Sequence, residues 1–112
     1  IIVTLGGEGS LLIFLGEGGG LYFRRIPPVR VDRVVDTTGC GDSFAAGYSY
    51  GLLRYGSPVM AALFGSAVAG QKAGFIGPVG YKSYTETETQ VIFNYTPILR
   101  ELEKGVLGER IR

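Results

Sequence analysis

The sequence predicts an α/β domain in which a β-hairpin precedes two packed helices. Short runs of β-branched and aromatic residues, typical of strands, occupy its first third, and apolar residues take up helical spacing only from about residue 43. The length of 112 residues suits one domain. Apolar residues make up 46% of the chain and charged residues 19%, a composition typical of globular rather than disordered proteins.

Three strand-like runs open the chain. Residues 1–5 are all apolar except Thr4 and end at two glycines, so we expect a buried central strand of the kind found in parallel sheets. Residues 11–15 and 21–25 are separated by a glycine-rich connection, which predicts a hairpin. The pair Pro27-Pro28 ends regular structure, and residues 29–35 are predicted to be extended.

The first predicted helix begins near residue 43 and ends near Gly56. Phe44, Tyr48, Leu52 and Tyr55 recur every three or four residues and would form one apolar face. The small residues at positions 45, 46, 47 and 51 keep the helix slim, so it can pack close to a neighbour.

Two further helices are predicted downstream. Ser57 is a typical cap and Pro58 a typical first residue of a helix that would run to about Gln71, buried on most sides. The glycines and proline between positions 74 and 80 predict a loop. Pro97 would open a short final helix, residues 98–104, which Gly105 ends.

Composition excludes several classes of function. The chain has one cysteine and no histidine, which excludes Ser-His-Asp and Cys-His nucleophilic sites and most zinc sites within it. A general base must therefore be a carboxylate, a lysine or a tyrosine. The net charge of +1 comes without a basic stripe, so nucleic acid is not an expected partner. The longest apolar stretch, residues 58–70, is too short to span a bilayer, so we expect no membrane partner and a cytoplasmic protein.

Residues 35–44, V-D-T-T-G-C-G-D-S-F, lead directly into the first helix and carry the chemistry. Gly39 and Gly41 flank Cys40, so the backbone can turn tightly and expose successive N–H groups next to the positive end of a helix dipole. This pattern predicts a site for a phosphate or a developing anion. Asp42 lies where that anion would bind and repels it, which favours a chemical or metal-binding role; the alternative is an ordinary helix-capping aspartate.

The chain resembles the ribokinase family, also called the phosphofructokinase-B family of carbohydrate kinases. Residues 36–42, D-T-T-G-C-G-D, are similar to its second signature, Asp-Thr-x-Gly-Ala-Gly-Asp, with Cys40 in place of the usual alanine. Residues 3–10, V-T-L-G-G-E-G-S, resemble the family's nucleotide-contacting strand and loop. The resemblance covers essentially the whole chain. It implies the carboxyl-terminal part of a ribokinase-like three-layer fold, with residues 1–112 as one partial domain and the amino-terminal sugar-binding half and lid absent.

The resemblance implies an ATP-dependent kinase that phosphorylates a hydroxyl group of a small sugar or nucleoside. Gly39, Cys40 and Gly41 would form the anion hole for the transferred phosphoryl group. Asp42 would be the catalytic base that takes the proton from the acceptor hydroxyl.

The resemblance also implies residues for the cofactors. Thr4, Gly6 and Gly9 would line ATP, together with Gly74 in the loop after the second helix. Mg²⁺ is expected from the reaction class, and a monovalent cation such as K⁺ would be bound at two further positions, Asp36 and Thr38.

Two kinds of function remain open from the sequence. The chain is either the catalytic part of such a kinase or a non-catalytic remnant that binds nucleotide or associates with another chain. On either view the strand edge left by the missing half would favour a homo-oligomer, because an uncovered apolar strand edge promotes association.

Overall fold

The computed structural model describes residues 1–16, 18–29, 39–74 and 82–111. Within these residues, four antiparallel strands form one sheet in the order β1-β2-β3-β4, and three α-helices lie between β3 and β4 in the chain. This mixed architecture confirms the predicted α/β class. The strands are β1 (Ile2–Thr4), β2 (Ser10–Leu15), β3 (Leu21–Ile26) and β4 (Glu109–Ile111). The helices are α1 (Cys40–Tyr55), α2 (Pro58–Ala73) and α3 (Tyr84–Glu103).

The predicted hairpin is present. β2 and β3 pair in antiparallel register through six residue pairs, ending with Leu15 opposite Leu21. Along β2, Ser10, Leu12 and Phe14 are buried and alternate with more exposed residues. This period of two is the pattern of a strand with one face on the core.

The prediction for the first strand was wrong. β1 is antiparallel to β2 and lies at the edge of the sheet, with Ile1 84% and Val3 45% exposed. The turn that follows it is only a few residues long and is closed by the Leu5 N–H, which donates to the Gly9 carbonyl at 2.7 Å. So short a connection returns the chain beside β1 in the opposite direction, whereas a parallel neighbour would need a long crossover.

Helix α1 begins at Cys40, so its amino terminus lies within the segment Gly39-Cys40-Gly41. The predicted apolar face is only partly correct. Phe44 is buried, but Leu52 and Tyr55 are 41% and 37% exposed. The face of α1 that packs most closely on its neighbour carries glycines, at positions that the predicted apolar face does not include.

Two glycines of α1 lie where this helix packs closest to α2. A Cβ atom added to Gly47 would lie 2.6 Å from the Phe64 carbonyl oxygen, and one added to Gly51 would lie 2.8 Å from the Ala61 Cα. Both distances are shorter than van der Waals contact. The backbones of α1 and α2 therefore touch, as the small residues predicted.

Helix α2 is the central helix of the domain. The Ser57 hydroxyl accepts a hydrogen bond from the Met60 N–H at 3.3 Å, and Pro58 is the first helical residue, which confirms the predicted start. Most of its residues are buried, including Leu63 and Phe64, and they pack against the sheet, α1 and α3.

Helix α3 is much longer than predicted. It begins at Tyr84, where Ser83 and Glu86 form a reciprocal capping box. Its first turns are rich in threonine and glutamate, so they lack the apolar period on which the prediction depended. Helical geometry is interrupted at Tyr95 (φ −123°, ψ 24°) just before Pro97, and the part beyond this kink is the short helix that was predicted.

Strand β4 was not predicted from its polar sequence. It pairs with β3 and is held in place from β3 by Arg24, which is only 8% exposed. The Arg24 guanidinium donates to the Leu107 carbonyl at 2.8 Å and forms an ion pair with Glu101 at 2.9 Å.

Parts of two predicted elements lie outside the described residues. These are positions 30–35 of the extended run and positions 75–80 of the loop. None of the three described helices has both the length and the apolar character needed to cross a membrane.

We predict opposite effects of alanine at two glycines of α1. Gly47→Ala should lower the free energy of unfolding by about 1–3 kcal/mol, because its methyl group would overlap the α2 backbone. Gly41→Ala should raise it by roughly 0.5–1 kcal/mol, because a Cβ there meets no atom of the described residues within 4 Å. Urea unfolding of the two variants tests the pair, and equal stabilities would contradict the backbone contact.

Candidate functional site

Because α1 and α2 pack antiparallel, the end of α2 lies next to Gly39-Cys40-Gly41 at the start of α1. Gly51, late in α1, contacts Ala61, early in α2. At the other end Cys40 lies against Ala69, with its sulfur 3.7 Å from the Ala69 carbonyl oxygen. The amino terminus of α1 is therefore beside the last turns of α2.

A cleft of about 380 Å³ opens at this point, between the β1–β2 turn, the chain after β3, the start of α1 and the end of α2. Most of its surface is backbone or small side chains. Its lining residues are Thr4, Gly6, Gly7, Gly9, Pro28, Val29, Cys40, Gly41, Phe44, Ser66, Ala69, Gly70 and Ala73.

The β1–β2 turn forms one wall of the cleft and depends on glycine. Gly9 has φ of +94°, and a Cβ atom on it would overlap the Ile26 carbonyl group. Both the positive φ and the close backbone exclude a side chain at Gly9. The turn therefore presents main chain to the cleft.

A second wall, formed by Pro28 and Val29, is fixed from a distance. The Tyr95 hydroxyl donates a hydrogen bond of 2.6 Å to the carbonyl of Pro27, the preceding residue. Burial raises the pKa of Tyr95 to about 12, so the hydroxyl keeps its proton at neutral pH. The kink residue of α3 thus anchors the chain at this edge of the cleft.

The start of α1 provides the electropositive end of the cleft. Gly39 is the N-cap, with φ of +81°, and it contributes no side chain to cap the helix. The N–H groups of a first helical turn point out of the helix end and lie at the positive end of its dipole. Two residues of that turn, Cys40 and Gly41, line the cleft.

Lys72 is a feature of this region that the sequence analysis missed. Its Cε lies 3.5 Å from the position that a Cβ on Gly39 would occupy, so its stem passes over the N-cap of α1. Lys72 is in the last turn of α2, where a helix dipole favours a cation. Its relation to residue 39 depends on the helix pairing, which is not visible in a linear sequence.

The structure brings together five of the residues predicted for the site. They come from the two motifs, which lie far apart in sequence, and they line one cleft. These residues are Thr4, Gly6, Gly9, Cys40 and Gly41.

The remaining predicted residues lie elsewhere. Gly39 and Asp42 flank the cleft at the start of α1 without lining it, and Asp42 is exposed. Gly74 follows α2 as its C-cap and is not part of the lining. The proposed cation ligands Asp36 and Thr38 lie outside the described residues.

Comparison with known proteins identifies the family. Residues 1–79, which include both motifs, match the model of the pfkB family of carbohydrate kinases. The chain belongs to the pfkB family. A comparison with curated proteins found no match.

Solved structures of kinases share the fold. The nucleoside kinase of Burkholderia thailandensis in complex with inosine is 28% identical, with a TM-score of 0.69 over 85% of this chain and 30% of its own. A microbiome-derived acarbose kinase is 26% identical, with a TM-score of 0.69 over 80% of this chain and 30% of its own. The nucleoside kinase of Methanocaldococcus jannaschii shares the fold at 24% identity, with a TM-score of 0.68 over 80% of this chain and 29% of its own. This pfkB chain thus spans less than a third of the length of these structures.

We predict that filling the cleft prevents nucleotide binding. Ala69→Leu adds three carbon atoms at the lining of the cleft and should weaken binding of a fluorescent ATP analogue at least about tenfold, by steric exclusion. Ala45→Leu is the control, because Ala45 is exposed on α1 and does not line the cleft. Equal binding by the two variants would exclude the cleft as the nucleotide site.

Proposed function

We propose that this chain is the nucleotide-binding and catalytic-base part of an ATP-dependent kinase that phosphorylates a hydroxyl group of a sugar or nucleoside. The observation that carries the proposal is that four residues at the β1–β2 turn line one cleft together with Cys40 and Gly41, in a chain of the pfkB family. These four are Thr4, Gly6, Gly7 and Gly9. Stability alone does not require two glycine-rich segments to meet around an open space.

The similar structures support a small hydroxyl-bearing acceptor. One of them is a nucleoside kinase in complex with inosine, another is an acarbose kinase, and a third is the aminoimidazole riboside kinase of Salmonella enterica. We therefore propose a sugar or nucleoside as the acceptor class.

The residues of the cleft fit a nucleoside triphosphate. A volume of about 380 Å³ is within the usual range for small-molecule sites. Gly6 and Gly9 allow main chain to approach a polyphosphate closely, and Thr4 adds a hydroxyl. The small side chains of Ala69 and Ala73 on α2 leave room for a flat base. ATP, when bound, supplies the phosphoryl group.

The start of α1 would stabilise the charge that develops during transfer. Phosphoryl transfer is promoted mainly by positioning and by electrostatic stabilisation of the equatorial oxygens. The backbone N–H groups of Cys40 and Gly41 are suited to this role. Cysteine in place of the usual alanine changes the side chain and leaves the backbone donor in place. The Lys72 ammonium would add positive potential beside the same helix end.

Asp42 is proposed as the base. An exposed carboxylate in the first turn of α1 can orient the acceptor hydroxyl and take its proton as transfer proceeds. The alternative role, a favourable interaction between an acidic side chain and the helix dipole, needs no acceptor. The two roles differ in their effect on turnover.

The cation sites are proposed from the reaction class and the family motif. Among the described residues no group of three or more acidic residues or cysteines is placed to hold a metal ion. From the reaction class we propose that Mg²⁺ accompanies ATP, and from the family motif that Asp36 and Thr38 would bind a monovalent cation such as K⁺.

The remaining parts of a complete kinase site are proposed to lie outside these residues. The chain spans 28–30% of the similar kinases, and an acceptor must be held close to the phosphate with water excluded. We propose that the 112 residues alone phosphorylate no sugar or nucleoside, and that the complete kinase is cytoplasmic. The exposed edge of β1 favours a second possibility, a non-catalytic chain that associates with a copy of itself or with another chain.

We predict that Asp42→Asn separates catalysis from nucleotide binding. In a complete kinase that contains this segment, turnover should fall by several orders of magnitude, because the proton acceptor is lost. ATP affinity should stay the same or rise, because a negative charge beside the phosphates is removed. Steady-state kinetics together with ATP titration measure both effects.

Glu103→Gln is the matched control for Asp42→Asn. It also removes one carboxylate, but at the far end of α3, and turnover should be unchanged. Near-normal turnover in Asp42→Asn would show that Asp42 is only a capping residue.

A further inference from the structure

Gln71 is a buried polar residue on α2, 7% exposed, whose side-chain amide makes three hydrogen bonds. Its Nε2 donates to the Thr87 hydroxyl at 2.9 Å and to the Gln90 side-chain oxygen at 3.1 Å. Its Oε1 accepts from the Lys82 N–H at 3.0 Å. These hydrogen bonds favour one position of α3 and Lys82 relative to α2, because a shift would leave buried polar atoms unpaired.

Gln71 also holds the chain on both sides of residues 75–81. The Gly74 N–H donates to the Gln71 main-chain carbonyl at 3.2 Å, while the Lys82 N–H donates to its side chain. The bond from Gly74 is a main-chain bond that any residue at position 71 would accept, whereas the bond from Lys82 depends on the glutamine side chain. An apolar residue of similar size could fill the space but would leave the Lys82 N–H without this acceptor.

The neighbours of Gln71 in sequence form the wall of the nucleotide cleft. Gly70 and Ala73 line it, and Lys72 lies over Gly39. Gln71 itself contacts α3, away from the cleft. Because a helical turn is rigid, a tether on one face fixes the position of the other face.

We propose that Gln71 is a positioning residue for the nucleotide cleft. Its hydrogen bonds to α3 and to Lys82 hold the last turn of α2 at the distance from the start of α1 that suits a bound polyphosphate. This role rests on the proposed function, since it concerns ATP binding at the same site. Gln71 does not contact the cleft, so its effect is transmitted through Gly70 and Ala73.

The test compares ATP affinity with stability in three variants of the 112-residue chain. Gln71→Met has a similar length and makes none of the side-chain hydrogen bonds. Thr87→Val is a milder change that removes the nearest partner of Gln71. Thr89→Val is the matched control: Thr87 and Thr89 both donate to the carbonyl four residues earlier at 3.0 Å, but Thr89 is exposed and lies outside the Gln71 network.

We expect Gln71→Met to weaken ATP binding about fivefold and Thr87→Val about twofold, at a temperature where urea unfolding shows each variant to be folded. Thr89→Val should bind ATP as the unchanged chain does. Wild-type affinity in folded Gln71→Met, or in Thr87→Val should Gln71→Met fail to fold, would overturn the positioning role. If the unchanged chain shows no ATP binding in the same titration, the proposed nucleotide site itself is wrong and the role of Gln71 falls with it.

Discussion

The backbone contact between α1 and α2 is the constraint on which the rest of this structure depends. Gly47 and Gly51 allow the two helices to approach until a methyl group would no longer fit between them. The helices run antiparallel, so this contact also determines which end of α2 lies beside the start of α1. A wider separation would still permit a folded domain, but it would move the amides of residues 40–41 away from the small residues Ala69, Gly70 and Ala73.

The cleft is assembled from segments that are positioned elsewhere in the molecule. The turn after β1 is held by the pairing of β1 with β2. It also depends on position 9, which only glycine can occupy. Tyr95 anchors the chain at Pro27, and Gln71 anchors the end of α2. The residues that face the open space are mostly glycine and alanine. Recognition there would come from main-chain groups and shape, which is suitable for a polyphosphate with oxygen atoms on all sides.

Local sequence signals predicted the parts of the fold that depend on local physics. The glycine-rich hairpin and the Ser57-Pro58 helix start are present, and the first helix is present with its start at Cys40, three residues before the predicted position. The edge position of β1 was not predictable from its own residues, because an apolar run does not specify its partner. The first half of α3 depends on a capping box and on packing at Thr87 and Val91 rather than on a regular apolar stripe. The positions of Lys72 beside Gly39 and of Gln71 against α3 could not be predicted, because they depend on how the helices pack.

The most direct test of the central claim, that two distant glycine-rich segments form one phosphate-binding cleft, is a nitrogen-proton NMR titration of the chain with ATP and with adenosine. We expect ATP to shift the amide signals of Gly6, Gly9, Cys40 and Gly41 together, with one common dissociation constant. Adenosine should leave the signals of Cys40 and Gly41 nearly unchanged, because it carries no phosphate for the helix end to bind. ATP-dependent shifts confined to other parts of the chain, or equal shifts of Cys40 and Gly41 with both ligands, would contradict the account.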